Sequence, residues 1–360
     1  MQRSVKLADD ARKAFLASPS SDEVDSAGKR KKREVSVALS LGPFGSTVQP
    51  PQDFDGFYPP PFGPKGPSST DVPGNTRLFS PSPASDGPGR SVTATLKEEE
   101  ENAIEALARF HLWRLRAVRS NPETWNAIDY VAFETVPHLR ELRAIKIAMA
   151  RFHDDLLSPS AGGSKEKKSL KGWWISLVFL NGAECAQWGP EERRHQTQSL
   201  LGLAENLTGN DDGGGGEILT VVLDEQLGAV PTGLGINCTR IDQYLSILSS
   251  ILSPSNFASR EKNPGAGDDE DEKGARQRVP LTLVVYPNGG RAGDTFDGLT
   301  YRWVNDGNPR PGGRDITWEE EVVEIVQNCR SDWKDVIVGG CCRVDPLQIK
   351  KLRERVNEAL

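Results

Sequence analysis

The chain has 360 residues, a hydrophobic content of 36% and a formal net charge of −7. The length suits one large α/β domain or two smaller ones, and the low apolar content leaves part of the chain outside any core. The acidic balance argues against nucleic acid as the main partner, and five cysteines over this length make no disulfide framework.

Met1 to Asp10 lack the apolar segment of a signal peptide, and no stretch is long and apolar enough to cross a bilayer. The expectation is a cytoplasmic protein with no membrane partner. Residues 4–17 have helical spacing, with Val5, Leu7, Ala8, Ala11, Phe15 and Leu16 on one broad face. The basic run Gly28 to Arg33 reads as a solvated loop rather than a nuclear-localisation patch. Val35 to Leu41 predicts a strand ending in Gly42-Pro43-Phe44-Gly45, and residues 46–95, rich in Pro, Ser and Gly, predict a long loop.

Leu96 to Val118 predicts a helix with an acidic first turn at Glu98 to Glu101. Ala127 to Phe133 predicts a strand ending in Glu134-Thr135-Val136-Pro137, and His138 to Leu157 a helix. Gly172 to Phe179 predicts a strand and Pro190 to Leu207 a helix. The segment Asn206 to Gly216, with its glycine run, predicts a flexible insert. Gly233 to Cys238 predicts a strand, followed by a helix from Ile241 to Ile251. The acidic run Asp268 to Glu272 reads as a solvated insert. Leu281 to Tyr286 predicts a strand ending in Pro287-Asn288, then Trp318 to Cys329 a helix, Val336 to Gly340 the last strand and Asp345 to Leu360 the last helix.

Strands and helices thus alternate from about residue 35 onward, which predicts a parallel sheet with right-handed crossovers. Polar and reactive residues gather at the carboxyl ends of the strands: Glu134, Asn237-Cys238, Asn288 and Cys341-Cys342. In a (β/α)8 TIM-type barrel that end is the catalytic rim. Six strands are predicted and no strand precedes the first helix. The expectation is a barrel lacking its first two strands and first helix, one domain over residues 1–360 with inserts at about 46–95, 206–216 and 254–279.

Cys341 and Cys342 follow a short Val/Ile run and two glycines, at the point where a strand gives way to a loop. Adjacent cysteines rarely pair, because a disulfide wants their Cα atoms further apart than a relaxed trans peptide sets them. Cys238 ends a second short apolar run, Gly233 to Asn237. Three thiolates from two strand ends suit zinc and leave one position of a tetrahedron open, the arrangement of a catalytic site. The competing reading makes them ordinary buried cysteines. A redox dithiol is a further alternative, but Cys341 and Cys342 lack Cys-x-x-Cys spacing. Cys185 and Cys329 have no comparable setting, and His111, His138, His153 and His195 lie in or beside helices without metal-ligand spacing.

Val-Gly-Gly-Cys-Cys-Arg-Val (338–344), Gly-Ile-Asn-Cys-Thr (235–239), Phe-Glu-Thr-Val-Pro (133–137), Ser-Leu-Gly-Pro-Phe-Gly (40–45) and Val-Tyr-Pro-Asn-Gly-Gly (285–290) together resemble the homocysteine S-methyltransferases. The likeness runs from about residue 4 to the end, apart from the inserts, and the two cysteine motifs are its specific part. It implies a zinc-dependent (β/α)8 barrel that binds homocysteine and a methyl donor and makes methionine. By the same resemblance Cys238, Cys341 and Cys342 are the zinc ligands, and Glu134 contacts the homocysteine amino group. Asn237 joins Glu134 as an expected substrate-site residue, with a part in orienting ligands. The style of the Glu134 motif is closer to the branch using sulfonium donors, S-methylmethionine or S-adenosylmethionine, than to the betaine branch. The family's opening Asp-Gly-Gly strand and its Thr-Asn-Thr-Tyr-like second strand end do not occur here. The second reading is therefore a relative that keeps the zinc site without transferring methyl groups.

The chemistry explains the residue types. A free alkyl thiol is mostly protonated near neutral pH, whereas the thiolate is the nucleophile. Zinc lowers the thiol pKa, and three cysteinates leave the site with a net charge of about −1, which keeps an incoming sulfur electron-rich.

Overall fold

The computed structural model describes residues 1–18, 34–49, 51–54, 56, 58–63, 92–158, 170–179, 216–250, 252, 278–289, 294–297, 302–305 and 316–359. Six strands form one parallel sheet: β1 (Ala38–Leu41), β2 (Tyr130–Val136), β3 (Gly172–Leu177), β4 (Gly233–Asn237), β5 (Val279–Tyr286) and β8 (Trp333–Val338). Between the last two, β6 (Asp294–Asp297) and β7 (Arg302–Asn305) make a separate antiparallel pair. The described helices are α1 (Gln2–Ala17), α2 (Val92–Arg119), α3 (Pro122–Ala127), α4 (Leu139–Leu157), α5 (Gly216–Leu223), α6 (Tyr244–Ser250), α7 (Trp318–Cys329) and α8 (Pro346–Ala359).

Strand order in the sheet follows chain order, β1-β2-β3-β4-β5-β8. A doubly wound sheet reverses its order at a switch point, and this one does not. It winds in one direction, as a barrel does. Among the described residues the outer edges of β1 and β8 pair with no strand, so the barrel is open.

The two faces of the sheet differ in kind, because side chains alternate along each strand. Register places Phe133, Ile175, Leu234, Leu283 and Val336 in one row across five strands. The first four are fully buried in the main core, which the helices cover. The opposite face carries the rows Ala132-Trp174-Gly233-Thr282-Asp335 and Ser176-Gly235-Val284-Ile337. Apart from Trp174 and Ile337 these residues are smaller or more polar, and none belongs to that core. Ile337, on the edge strand β8, is 43% exposed.

The predicted helix at residues 4–17 forms, but its apolar face does not bury. Val5 and Asp9 are its buried residues, while Leu7, Phe15 and Leu16 stay exposed. Charge holds the helix instead: Arg12 bridges Asp9 and Asp129, and Asp129 also accepts the backbone N–H of Val37 just ahead of β1 at 2.7 Å. The predicted strand from Ala127 begins at Tyr130, because α3 takes residues 122–127. Asn121 caps that helix by accepting from Thr124 N at 2.9 Å, and Pro122 supplies its preset first position. The strand predicted from Val336 starts at Trp333, and α2 starts at Val92 rather than Leu96. A short 3-10 turn at Phe44–Thr47 runs into the start of the long loop predicted for 46–95. The helix expected at 190–207 and the basic and acidic runs lie outside the described residues. No described helix is long and apolar enough to cross a membrane.

A buried polar network fastens the loop after β1 to the helices. Glu141 on α4 accepts from Phe44 N at 2.7 Å, from His111 Nε2 at 2.9 Å and from the Tyr58 hydroxyl. Arg114 reaches His111 Nδ1 at 2.6 Å and the Gly42 carbonyl at 2.8 Å. A guanidinium only donates, so Nδ1 of His111 accepts and its proton sits on Nε2.

Candidate metal centre

The carboxyl ends of β4 and β8 bring three sulfurs together. Cys238 Sγ lies 3.0 Å from Cys341 Sγ and 3.9 Å from Cys342 Sγ, and the last two are 4.0 Å apart. All three are free thiols, Cys238 and Cys341 half-buried and Cys342 exposed. Among the described residues theirs is the grouping that could hold a metal ion. Zinc–sulfur bonds of about 2.3 Å in a tetrahedron set sulfurs about 3.8 Å apart, which two of the three separations approach. The third, between Cys238 and Cys341, is shorter. Three soft donors on one open-sided triangle fit zinc.

Backbone bonds between strand ends hold the triangle. Cys341 N donates to Pro287 O at 2.9 Å and Gly289 N to Cys342 O at 2.8 Å, stitching the end of β5 to the turn after β8. Gly289 is needed there, since a Cβ would lie 2.8 Å from the Arg343 carbonyl oxygen. Buried Thr239 ties the third side: its hydroxyl accepts from Phe179 N at 3.0 Å, and its carbonyl accepts from Asn288 N at 3.1 Å. Among the described residues three non-glycine residues adopt the left-handed conformation: Thr135 (φ 60°), Cys238 (φ 50°) and Arg343 (φ 65°). All three sit at or beside the sulfurs or Glu134, where such strain is held by surrounding structure.

The thiols titrate as a unit. Hydrogen bonds from Cys238 and Cys342 pull Cys341 down to about 3, so it carries the negative charge. The hydrogen bond to Cys341, with the one to Cys342 and burial, pushes Cys238 up. For Cys342 the bond with Cys238 acts downward, but the Cys341 thiolate and burial outweigh it and place it at about 11.

Asn237 is buried at the centre of the site. Its Oδ1 accepts from Thr135 N at 2.8 Å, and its Nδ2 donates to Thr135 Oγ1 at 2.9 Å and to Cys238 Sγ at 3.3 Å. The structure therefore places this expected substrate-site residue against Thr135 and the sulfur, with its amide fully engaged. Glu134 is half-buried and accepts from the Ser40 hydroxyl. Burial raises its carboxyl above the usual range; the Ser40 and Tyr286 hydroxyls oppose that rise and the Cys341 thiolate adds to it.

Sequence reasoning gave no site role to Ser40, Thr135, Ser176 and Tyr286, although all but Ser176 fall within the quoted motifs. A signal they share is that each is polar and at or near the carboxyl end of a strand, as the rim rule demands. Trp173 packs in the core, whereas Trp174 lies on the concave face with Nε1 3.4 Å from the Tyr286 hydroxyl. Cys329 is buried on α7 and pushed up to about 12 by that burial. His111 belongs to the Glu141 network, His138 caps α4 by accepting from Glu141 N at 3.2 Å, and His153 is half-buried on the same helix. Cys185 and His195 lie outside the described residues.

The chain is 22% identical over 364 residues to "Homocysteine S-methyltransferase 3" of Arabidopsis thaliana, covering 99% of this chain and 68% of that protein. It is 22% identical over 363 residues to "Homocysteine S-methyltransferase 4" of Zea mays, covering 100% of this chain and 68% of that protein. Among solved structures it is similar to the homocysteine methyltransferase MmuM from Escherichia coli in its metallated form. The identity is 18% and the TM-score 0.46, over 98% of this chain and 69% of that one. The profile of the homocysteine S-methyltransferases matches residues 1–356, and the chain belongs to that family.

Proposed function

We propose that this protein is a zinc-dependent S-methyltransferase that moves a methyl group from a sulfonium donor, S-methylmethionine or S-adenosylmethionine, to homocysteine to give methionine. The observation that carries this reading is the triangle of Cys238, Cys341 and Cys342 sulfurs. Those residues would hold the zinc ion, which when bound lowers the pKa of a substrate thiol and leaves its sulfur ready for alkylation. Cys342, the exposed member, marks the side from which substrate enters. Asn237 donates to Cys238 Sγ and so supports the charge on the ligand set. Glu134 offers a carboxylate to the substrate ammonium, a charge-assisted contact that fixes the amino-acid end of homocysteine. The methyl group then passes as a cation from the donor sulfonium to the acceptor sulfur, and the donor leaves as a neutral thioether.

A second reading, in which zinc is held but no methyl group moves, is favoured by the edges of β1 and β8, which pair with no strand among the described residues. One experiment separates the two. The full chain is loaded with zinc, its metal content is measured, and it is incubated with homocysteine and each donor while methionine is followed. One zinc per chain with methionine formed from a sulfonium donor supports the first reading. One zinc without methionine supports the second. Serine at any of positions 238, 341 or 342 is expected to lower the zinc content sharply, and full retention by all three variants would refute both.

A further inference from the structure

Thr135 carries no part of the chemistry proposed above, yet its hydroxyl meets the metal triangle. It lies in an irregular step of β2. Phe133 pairs with Ile175 and Val136 with Leu177, so β2 has one residue more than β3 over this stretch. An extra residue of this kind bends the strand and re-aims a side chain. Thr135 takes up the excess in the left-handed conformation, φ 60°, and its side chain reaches the end of β4, the second strand along. There Thr135 Oγ1 donates to Cys238 Sγ at 3.7 Å. The threonine is buried, which keeps water from competing for the hydroxyl.

A hydroxyl has one proton, and the donors around Thr135 show where it goes. An amide nitrogen only donates, so Asn237 Nδ2, at 2.9 Å, uses a lone pair of Thr135 Oγ1. The threonine proton is then left for Cys238 Sγ. The amide has a second proton, and it serves the same sulfur: Nδ2 lies 3.3 Å from Cys238 Sγ and 3.9 Å from Cys341 Sγ. Cys238 thus receives two donors from one fixed pair, which the Thr135 N–H locks from the other side by donating to Asn237 Oδ1 at 2.8 Å. Cys342, by contrast, is the exposed member of the triangle. The three ligands are alike in kind but not in surroundings. A hydrogen bond to a thiolate draws off part of its charge, as it does at iron–sulfur centres. Cys238 therefore gives less charge to a bound metal than its partners give.

We propose that Thr135 is a positioning residue that, together with Asn237, holds down the charge of Cys238 by hydrogen bonding its sulfur. It makes the three cysteines unequal ligands and leaves an arriving thiol more strongly polarised. This rests on the reading of the cysteines as metal ligands given under Proposed function.

The test uses the full chain loaded with cobalt(II) in place of zinc, because cobalt reports on its thiolate ligands through a charge-transfer band in the near ultraviolet. Light absorbed there moves an electron from sulfur to metal. A hydrogen bond lowers the energy of the sulfur electrons, so its loss moves the band to longer wavelength. Two variants lack the hydroxyl: Thr135→Val keeps the shape of the side chain, and Thr135→Gly suits the left-handed backbone. Thr135→Ser keeps the hydroxyl and drops the methyl group. The valine and glycine variants are expected to absorb at longer wavelength and the serine variant at the wild-type position, with one cobalt per chain in each. Should the valine variant fail to fold, the glycine and serine variants decide the comparison. No shift in a cobalt-loaded variant without the hydroxyl would overturn the proposal. An equal shift in the serine variant would trace the effect to packing and overturn it as well. Loss of cobalt from both hydroxyl-free variants, with the serine variant loaded, would make the hydroxyl part of the site's framework rather than a modulator of one ligand, and would also overturn it. A wild-type chain that takes up no cobalt would remove the metal reading and this proposal with it. The expected shifts without methionine formation by the zinc-loaded chain would refute the methyl transfer alone and leave the assignment of Thr135 standing.

Discussion

Asn237 has every polar atom of its side chain engaged inside the protein, and its two main partners are the backbone and hydroxyl of Thr135. Thr135 is β-branched and left-handed, a conformation that costs roughly 1–2 kcal/mol. The Asn237 amide is what keeps it there and, through it, keeps Glu134 at its post one residue earlier. Asn237→Ala leaves the Thr135 N–H buried without an acceptor, at a cost of about 1–3 kcal/mol. It also removes the donor to Cys238 Sγ. The variant is expected to unfold at lower urea and to yield zinc to a chelator more readily than the wild-type protein. Unchanged values in both measurements would show that the amide is a bystander. The cysteines were legible from sequence because strand-end position alone brings them together. The hold of Asn237 on Thr135 was not, since it depends on a register between β2 and β4 that no local pattern encodes.

At the scale of elements, β4 does the most with the least. Gly-Leu-Gly-Ile-Asn sends Leu234 and Ile236 into the helix-covered core and leaves glycine on the concave face beneath Trp174 and Ser176. Its alternation of large and absent side chains was visible in the sequence, but read as an apolar run. Gly235→Ala places a methyl against a backbone carbonyl that cannot rotate away, so the strand must shift. The expected loss is about 1–3 kcal/mol, the cost of overpacking. The loss should be smaller in Gly235→Ala combined with Ser176→Gly, which removes the nearest clash. Thermal unfolding of the two variants checks this, and an undiminished loss in the pair would place the clash wholly at Val284. The helix over 318–329 was legible to the residue, because Thr317 and Glu320 form a reciprocal capping box. By contrast α5 was hidden: its Ile218, Thr220, Val221 and Val222 favour strands, and the helix forms through packing of Leu219 and Val222 in the core. Lys146 of α4 donates to the Val222 and Asp224 carbonyls at 2.5 and 2.9 Å and closes its end.

For the whole molecule, the question is what holds an open parallel arc in shape. Chain-order winding and the rim were foreseeable from the alternation of strands and helices. The answer at the β1 side was not, because it joins residues far apart in the chain: Tyr58, His111, Arg114 and Glu141. They pin the loop after β1 to α2 and α4, and their titration sets how the fold responds to acid. His111 is lowered from 6.5, chiefly by burial, with its neighbour Arg114 adding to the fall and Glu141 opposing it. Glu141 is lowered from 4.5: burial alone would raise it, but the His111 and Tyr58 hydrogen bonds prevail. In both cases the folded state binds its proton less readily than the unfolded chain, so folding loses free energy as pH falls. The loss begins as pH drops below about 6.5, where unfolded histidine starts to charge, and deepens below about 4.5, where unfolded carboxylates protonate. Urea midpoints measured from pH 8 to pH 4, with zinc chelated throughout, are expected to fall along that course. Glu141→Gln should start lower at pH 8, because an amide cannot accept from three donors without presenting its own N–H₂ to one of them. Its further decline below pH 4.5 should be shallower, since the carboxylate that drove it is gone. Parallel curves for the two proteins would mean that acid opens the arc somewhere other than at the β1 loop.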